Sequence, residues 1–378
     1  NIEHGDCFKK EIVRNLKSKH INIGLINPPY SQTDVAELEF VEHLLDILTV
    51  DGIGVVVVPM SCAIGTKFKD VRKRLFEKHT LDAVFSMPDD IFYPTGTNVC
   101  VMVWKAHRPH DSAQETFFGY YKNDGFVKRK KLGRIDAYKT WNDIQREWLR
   151  LYRNRDVKDG VSARFCVKDT DEWLCEAYMK TDYSLLSKDV FSQSVRDYLS
   201  FQIKCGLTDL SIKTERHIDR ELHVKDWKEF TLKQLFHITV SKDPNLQNSN
   251  PGVIPYISSS AENNGLTAYV DTQPSQKANT ITIARNGSVG ATFYQPLPFC
   301  ASPDDIRILT PKFSLNVYIG LFLKSVIELE KFRYAYGRKL GTKRIENLTI
   351  RLPVKPDNTP DYTYMEEYIK ALPYSDRI

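Results

Sequence analysis

Apolar positions in the first hundred residues follow two rhythms. Ile21-Asn22-Ile23-Gly24-Leu25-Ile26 reads as a strand ending at Asn27. Over 36–48, Leu38, Val41, Leu44, Leu45 and Leu48 recur at helical spacing, and Asp51-Gly52 closes that segment. Residues 53–58 form an unbroken, mostly β-branched run, as in a strand buried on both faces. A basic amphipathic helix is predicted over 68–78, and further strands over 81–87 and 99–104. This βαβαβ order predicts an α/β fold with a mainly parallel sheet covered by helices. Ligands of such sheets sit beyond the carboxyl ends of the strands.

The pattern changes at about residue 109. Phe117-Phe118-Gly119-Tyr120-Tyr121 and Gly125-Phe126-Val127 flank Lys122-Asn123-Asp124, which predicts a hairpin. The cations Lys128, Arg129, Lys130, Lys131 and Arg134 follow. Segments 141–152, 170–187 and 192–203, rich in Trp, Leu and charge, predict a connecting helical region. It changes again near 226. Short β-rich runs such as 280–284 are separated by Ser258-Ser259-Ser260, Asn263-Asn264-Gly265 and Asn286-Gly287, and 318–334 reads as a helix. The expected domains are therefore 1–108, 109–225 and an α+β domain at 226–378.

Composition narrows the class. Hydrophobic residues make up 42% and charged residues 27%, which excludes a disordered or collagen-like chain. The longest apolar run, 53–60, is far short of the ~18 residues of a membrane span. The formal net charge of +5 is mildly basic and proves no nucleic-acid partner by itself. The 7 cysteines are odd in number and form no CxxC or Cys/His cluster, and the 9 histidines show no ligand spacing. Reduced cytoplasmic thiols are expected, not a disulfide frame or a zinc site. No signal peptide is expected. The first residue is Asn, so a piece of a longer protein is expected.

Candidate chemistry lies at Asn27-Pro28-Pro29-Tyr30, directly after the first strand. Two prolines fix φ and push the preceding residue out of the α region, giving a stiff loop at a strand's carboxyl end. A bare Asn-Pro is also a common turn dipeptide. In this setting, however, the sequence resembles the gamma-class N6-adenine DNA methyltransferases, in particular type I modification subunits and their fused type II relatives. The resemblance continues through Asp51-Gly52-Ile53-Gly54-Val55-Val56-Val57-Val58-Pro59 and Met87-Pro88-Asp89-Asp90-Ile91-Phe92-Tyr93-Pro94-Thr95-Gly96-Thr97-Asn98-Val99. The Asp124-Gly125-Phe126 segment with its basic follow-on also fits.

The resemblance implies a Rossmann-like methyltransferase sheet, S-adenosylmethionine as cofactor and a flipped adenine as substrate. An exocyclic amine on a base is a poor nucleophile. Acceptors at the Asn27 side chain and the Pro28 carbonyl would polarise it, leaving its lone pair aimed at the methyl group. Positioning and electrostatics then carry the transfer, and the chemistry calls for no metal. By the same resemblance, Tyr30 stacks on the base, with Pro29 shaping the loop. Phe92 packs from the other side; Tyr93 competes for that place, and core packing suits both. Asn before Pro-Pro favours adenine N6 over cytosine N4. Asn1-Ile2-Glu3-His4-Gly5-Asp6-Cys7-Phe8 resembles the family's third motif, making Asp6 and Phe8 the cofactor candidates, although Gly5-Asp6 also suits a simple turn.

The family's Gly-rich cofactor loop and its ribose-binding acid are missing from the sequence. Gly52-Ile53-Gly54 opens a strand and does not fit that role. A truncated sheet and a half-built cofactor site are expected. No nuclease motif is convincing, because Pro88-Asp89 lacks a matching Glu-x-Lys nearby.

A second resemblance covers about 226–355, to the target-recognition domain of type I specificity subunits. It rests on Trp227-Lys228-Glu229-Phe230-Thr231-Leu232, Ile254-Pro255-Tyr256-Ile257-Ser258, Ile283-Ala284-Arg285-Asn286-Gly287-Ser288-Val289-Gly290 and Gly341-Thr342-Lys343-Arg344-Ile345-Glu346-Asn347-Leu348. Lys331, Arg333, Arg338, Lys339, Lys343, Arg344 and Arg351 cluster there, interleaved with Tyr334 and Tyr336. Such a stretch suits phosphate contact and groove entry, or merely a solvated face. Arg285, Arg338, Lys339, Lys343 and Arg344 are the DNA-binding candidates.

The expected activity is thus site-specific adenine N6 methylation of double-stranded DNA in a bacterial restriction-modification system. The expected partners are a second copy of the chain or another specificity or modification chain, and a nuclease subunit. Rival readings are an inactive DNA-recognition fragment and, more remotely, an RNA or protein N-methyltransferase.

Overall fold

The computed structural model describes residues 4–32, 34–207, 221–334 and 338–378. The chain forms two units, Asn1–Thr181 and Asp182–Ile378.

The first unit contains, in chain order, α1 (Lys10–Ser18), β1 (Ile23–Ile26), α2 (Glu37–Ile47), β2 (Ile53–Pro59), α3 (Ser61–Ile64), α4 (Lys69–Lys78), β3 (Thr80–Ser86) and β4 (Val99–Lys105). They are followed by β5 (Thr116–Tyr120), β6 (Val127–Arg129), β7 (Gly133–Ile135), α5 (Trp141–Asn154), β8 (Ser162–Phe165) and α6 (Cys175–Tyr178). Six strands make one sheet in the order β1-β2-β4-β3-β5-β8. Leu38, Val41 and Leu45 of α2 are fully buried, and each such side chain contributes roughly 1.5–3 kcal/mol of burial. A Cβ at Gly24 or Gly54 would lie 2.7 Å from Leu44 or 2.5 Å from Leu45, so these glycines let α2 settle onto β1 and β2. Gly54 is thereby a packing residue, in keeping with the sequence reading of Gly52-Ile53-Gly54.

The α/β class holds, but the sheet is mixed, which corrects the expectation of a mainly parallel one. β1 and β2 are parallel, β4 runs antiparallel between β2 and β3, and β8 is antiparallel to β5. The reason is the connection between β3 and β4. A parallel return needs a crossover of about a dozen residues or more, usually a helix, and residues 87–98 contain no helix. β2 is fully buried only at alternate positions, Gly54, Val56 and Val58, not on both faces. On β1, Ile23 and Leu25 are 66% and 74% exposed.

Three further expectations are corrected. β5 does not enter a hairpin; it pairs with β3 and β8, burying Phe117 and Phe118 completely. The hairpin lies further on, between β6 and β7. Asn123 and Asp124 instead close a local turn, their side chains accepting the Gly125 and Phe126 N–H groups at 3.2 and 3.0 Å. Segment 170–187 is not a long helix but α6 and a 3-10 turn at Tyr183–Leu185. Its apolar spacing serves aromatic packing: Trp173 stacks on Phe76 at 4.6 Å and its indole donates to the Lys168 carbonyl. Finally, 109–225 is no separate region, because β5 and β8 belong to the first sheet while the helix over 188–204 belongs to the second unit.

The second unit contains α7 (Lys188–Lys204), β9 (Lys228–Thr231), α8 (Leu232–Leu235), β10 (Phe236–Val240), β11 (Pro251–Ile257), β12 (Leu266–Val270), β13 (Thr280–Ala284), β14 (Thr292–Gln295), β15 (Cys300–Ala301) and β16 (Ile306–Pro311). It ends with α9 (Val317–Leu329), α10 (Thr342–Glu346), β17 (Thr349–Leu352) and α11 (Tyr362–Lys370). Sheets β10-β16-β13-β14 and β12-β11-β15 and the pair β17-β9 give the expected α+β architecture. Its core joins α7, α9 and α11, with Phe191 stacked on Phe322 at 4.9 Å and edge-on to Tyr368. The helix predicted over 318–334 ends as α-helix at Leu329 and tightens into a 3-10 turn through Arg333.

Candidate active site

The Asn27-Pro28-Pro29-Tyr30 loop leaves the carboxyl end of β1 with Pro28 buried, Asn27 and Pro29 exposed and Tyr30 half-buried. The Tyr30 hydroxyl donates to Asn27 Oδ1 at 2.6 Å and lies 3.2 Å from the Val57 carbonyl of β2. Burial, with smaller contributions from the Cys100 and Cys62 thiols and Glu37, pushes that hydroxyl's pKa up to about 12. It therefore stays a neutral donor at any physiological pH. Asn27 Oδ1 has two lone pairs; Tyr30 occupies one, and the exposed side chain leaves the other for a ligand.

The next residue, Ser31, has a left-handed backbone with φ 58. Its N–H is accepted by Glu37 Oε1 at 2.9 Å. Glu37 is 6% exposed in the first turn of α2, where the helix N-terminus favours a carboxylate. Sequence reasoning missed this residue. The available signal was an acid at the very start of the helical segment that follows a stiff loop.

Phe92 faces Tyr30 edge-on, with ring centroids 6.3 Å apart at 84°. Tyr93 points elsewhere; it is 57% exposed, with the Lys128 ammonium 5.1 Å from its ring. Of the two aromatic candidates, the structure brings Phe92 to the Asn27 loop. The 87–98 loop is pinned at both feet, Met87 N–H to the Val99 carbonyl at 3.2 Å and Met60 N–H to the Asn98 carbonyl at 2.9 Å. Ion pairs hold its middle: Asp89 with Lys122, and Asp90 with Arg134 at 2.9 Å and Lys128 at 3.5 Å. Arg134 also grips Asp124 at 2.8 Å.

Beside this loop, beyond the carboxyl ends of β1 and β2, lies an open cavity of about 410 Å³. It is lined by Ser31, Gln32, Glu37, Ser61, Gly65, Thr66, Lys67 and Phe68. The last five follow β2 and were not singled out from sequence, because only the fold sets them next to β1. The volume falls in the ~300–1,000 Å³ range of small-molecule sites.

Asp6 and Phe8 form a separate cluster on α2. The Asp6 Oδ1 accepts the Phe8 N–H at 3.0 Å, so the simple-turn reading of this segment holds as well. Phe8 stands 38% exposed, backed by Phe40 at 5.1 Å and His43 at 4.4 Å. An aromatic face and a free carboxylate oxygen suit a purine ring bearing an amine. Among the described residues, no hydrogen bond or ring contact joins Asp6 or Phe8 to Asn27, Tyr30 or Phe92.

In the second unit, Arg285 opens a tight turn with Gly287 at φ 59. Arg285 Nη1 reaches the Asp304 carbonyl at 3.4 Å, and Asn286 donates to Asp305 at 3.2 Å. Lys339 and Lys343 are exposed, and Arg344 is half-buried with Nη1 on the Lys339 carbonyl at 2.8 Å. Arg338 departs from the expected surface cation. It is 7% exposed, donates to the Arg333 carbonyl at 2.7 Å and lies 5.4 Å from the Tyr334 ring. Sequence shows the charge but not its burial. Tyr336 lies outside the described residues.

These two units fall into two classes: an open α/β sheet with an Asn-Pro-Pro-Tyr loop at a strand's carboxyl end, and an α+β unit rich in basic turns. Comparison with known families gives the same division. Residues 9–172 match the N-6 DNA Methylase family, and residues 224–373 match the type I restriction modification DNA specificity domain. The chain thus pairs a stretch that matches the N-6 DNA Methylase family with one that matches the type I specificity domain.

The type II restriction enzyme and methyltransferase RM.BcgI of Heyndrickxia coagulans is 33% identical over 192 residues, which is 48% of this chain and 30% of RM.BcgI. The specificity subunit S.BcgI of the same organism is 35% identical over 154 residues, 40% of this chain and 45% of that subunit. The chain thus spans less than half the length of either relative. Among solved structures, the type I methyltransferase subunit from Streptococcus thermophilus overlaps 42% of this chain and 38% of its own, with TM-score 0.36 and 20% identity. The type I specificity subunit from M. genitalium overlaps 50% and 46%, with TM-score 0.32 and 16% identity.

Proposed function

We propose that the first unit takes part in methylation of adenine N6 in double-stranded DNA, at a site chosen by the second unit, within a restriction-modification system. The observation that carries this reading is the exposed Asn27 Oδ1, held by the Tyr30 hydroxyl at 2.6 Å opposite the Phe92 ring. Asn27 Oδ1 and the Pro28 carbonyl accept the two N6 hydrogens of an adenine taken out of the stack. Those bonds would push N–H electron density back onto N6 and raise its lone pair for the new N–C bond, with the methyl group leaving its sulfur as a neutral thioether and one N6 proton passing to solvent. Both acceptors are fixed beforehand, Asn27 by Tyr30 and the Pro28 carbonyl by the Pro29 that follows it, so reorganisation during transfer is small. Tyr30 and Phe92 hold the faces of the base, and one ring must turn from the present edge-on arrangement to admit it.

The cofactor in this reading is S-adenosylmethionine, which supplies an electrophilic sulfonium methyl. Asp6 accepts from its adenine amine and Phe8 offers an aromatic face. Arg285, Lys339, Lys343 and Arg344 face the DNA backbone and bases, while Arg338 stiffens the loop that carries Lys339. A second copy or another specificity or modification chain supplies the other half-site, a nuclease subunit completes the system, and the setting is the cytoplasm. Among the described residues no helix is long and apolar enough to cross a membrane.

The test is incorporation of labelled methyl groups into DNA by the wild type and Asn27→Ala. Loss of incorporation with retained DNA binding supports the assignment, and normal turnover in the variant refutes it. A second reading, DNA recognition without catalysis by this chain, is favoured by one observation: among the described residues, no hydrogen bond or ring contact joins the cofactor candidates Asp6 and Phe8 to Asn27, Tyr30 or Phe92. DNA binding that ignores the cofactor, with no incorporation by the wild type, would select it.

A further inference from the structure

The β6–β7 hairpin carries four consecutive cations, Lys128-Arg129-Lys130-Lys131, followed by an exposed Leu132. Its base and its tip differ sharply. At the base, Arg134 is committed to Asp124 and Asp90, and Lys128 lies beside Asp90 and over the Tyr93 ring. At the tip, Arg129, Lys130 and Lys131 are exposed, and among the described residues no carboxylate pairs with any of them. The nearby acids are occupied: Asp124 and Asp90 by Arg134, and Asp136 by the N–H groups of Thr140 and Trp141 at 2.9 and 3.2 Å. The turn is tight, with the Leu132 N–H on the Arg129 carbonyl at 3.1 Å and left-handed backbone at Lys131 (φ 66) and Gly133 (φ 71). Three like charges at one short turn repel each other, and among the described residues the fold supplies nothing to neutralise them.

The position of the hairpin identifies what does. Asp90, which receives Arg134 and Lys128, lies two residues from Phe92, and Phe92 meets the Tyr30 ring. The cationic tip is thus tied through one loop to the proposed base site. A nucleotide turned out of a duplex toward Asn27 brings its neighbouring phosphates along. We propose that Arg129, Lys130 and Lys131 form a sequence-independent clamp on the DNA phosphates that flank the extruded nucleotide. The proposal rests on the reading of Asn27 as the target-base site. It differs from the basic turns of the second unit, which are proposed to choose the sequence.

The experiment uses the full chain and duplex DNA with and without one unpaired adenine, a base that is easily extruded. Affinity is measured by fluorescence anisotropy across a salt series for wild type, Arg129→Ala/Lys130→Ala/Lys131→Ala and the charge-keeping Arg129→Lys/Lys130→Arg/Lys131→Arg. Each phosphate left without its cation lowers the slope of log affinity against log salt by about 0.9. The alanine variant is expected to lose about 2–3 in slope on the duplex with the unpaired adenine, and the charge-keeping variant to restore it. Neutral methylphosphonates on either side of the adenine should cut the wild-type slope and leave the alanine variant unchanged.

An unchanged slope in the alanine variant overturns the clamp. So does a loss that methylphosphonates do not reproduce, which would place the phosphates elsewhere. So does equal competition by polyglutamate or anionic vesicles, which would make the tip a general polyanion surface. Asn27→Ala is run in parallel on methyl incorporation. If it keeps activity while the tip variant loses slope at the flanking phosphates, the base-site reading fails and the clamp stands. If it loses activity while the tip slope is unchanged, the clamp alone fails.

Discussion

In the proposed reaction, Asn27 and Tyr30 divide one task between an acceptor and the group that aims it. Removing the acceptor in Asn27→Ala should cost on the order of 10²–10³ in turnover, by analogy with deletion of one preorganised polar group, with DNA affinity nearly unchanged in a binding titration. Tyr30→Phe keeps the ring and deletes the 2.6 Å bond to Asn27. Turnover should fall roughly fivefold, about 1 kcal/mol for one hydrogen bond, while KM for DNA stays put. In the second unit two cations separate by burial. Arg338→Ala should lower stability by roughly 1–3 kcal/mol, read from the urea midpoint, because it leaves buried partners unsatisfied. Lys343→Ala, at an exposed position, should leave stability alone and reduce the salt slope of DNA binding by about 1. The pairing of Asn27 with Tyr30 was legible because a contiguous, proline-stiffened motif carries its own geometry, whereas Phe92 entered only through the resemblance that 87–99 carries. Glu37, Ser61 and Lys67 were not, since their place beside the loop depends on how β1 and β2 pair. Arg338 was misjudged because a run of cations in sequence says nothing about which one the chain folds over.

Among elements, the attachment of α5 to the sheet shows how one buried charge fastens a helix. Asp82 on β3 is 4% exposed and accepts from Arg155 at 2.6 Å and from the Tyr152 hydroxyl at 2.9 Å, with Lys105 at 3.2 Å. Burial alone would raise its pKa, but Arg155, Tyr152 and Lys105 together hold it below the ordinary 3.8. Its folded value is depressed, so its stabilisation is complete above about 3.8 and disappears as pH falls through the lower folded value. Arg155→Ala leaves a buried carboxylate without its main partner and should destabilise the first unit by roughly 3 kcal/mol. With burial then less opposed, acid unfolding followed by circular dichroism should begin at a higher pH than in the wild type. The periodicity of α2 was readable because it buries one stripe at helical spacing, and β13 because all five of its residues are buried. The direction of β4 was not, because strand polarity depends on what the preceding connection permits. Segment 170–187 misled for a related reason, since aromatic contacts to Phe76 imitate helical spacing.

At the scale of the whole chain, two units with different architectures carry different proposed tasks, and the net charge of +5 reports on neither fold. In the proposed reading, the cofactor contacts offered by the described residues are few: one carboxylate oxygen of Asp6 and the half-open face of Phe8. Calorimetric titration of this chain with S-adenosylmethionine should therefore show binding weaker than about 1 mM, roughly −4 kcal/mol. Micromolar binding would mean that other residues, such as those around the 410 Å³ cavity, build the cofactor site. The antiparallel course of β4 has a consequence for how such a molecule can diversify. Because the chain leaves β3 and re-enters β4 at the same end of the sheet, the 87–98 segment is a surface handle stapled at both feet. It can be lengthened, shortened or exchanged as a cassette without threading the chain or shifting the register beneath it. The aromatic wall opposite Tyr30 can thus be remodelled while the acceptor pair at Asn27 and Pro28 stays where it is.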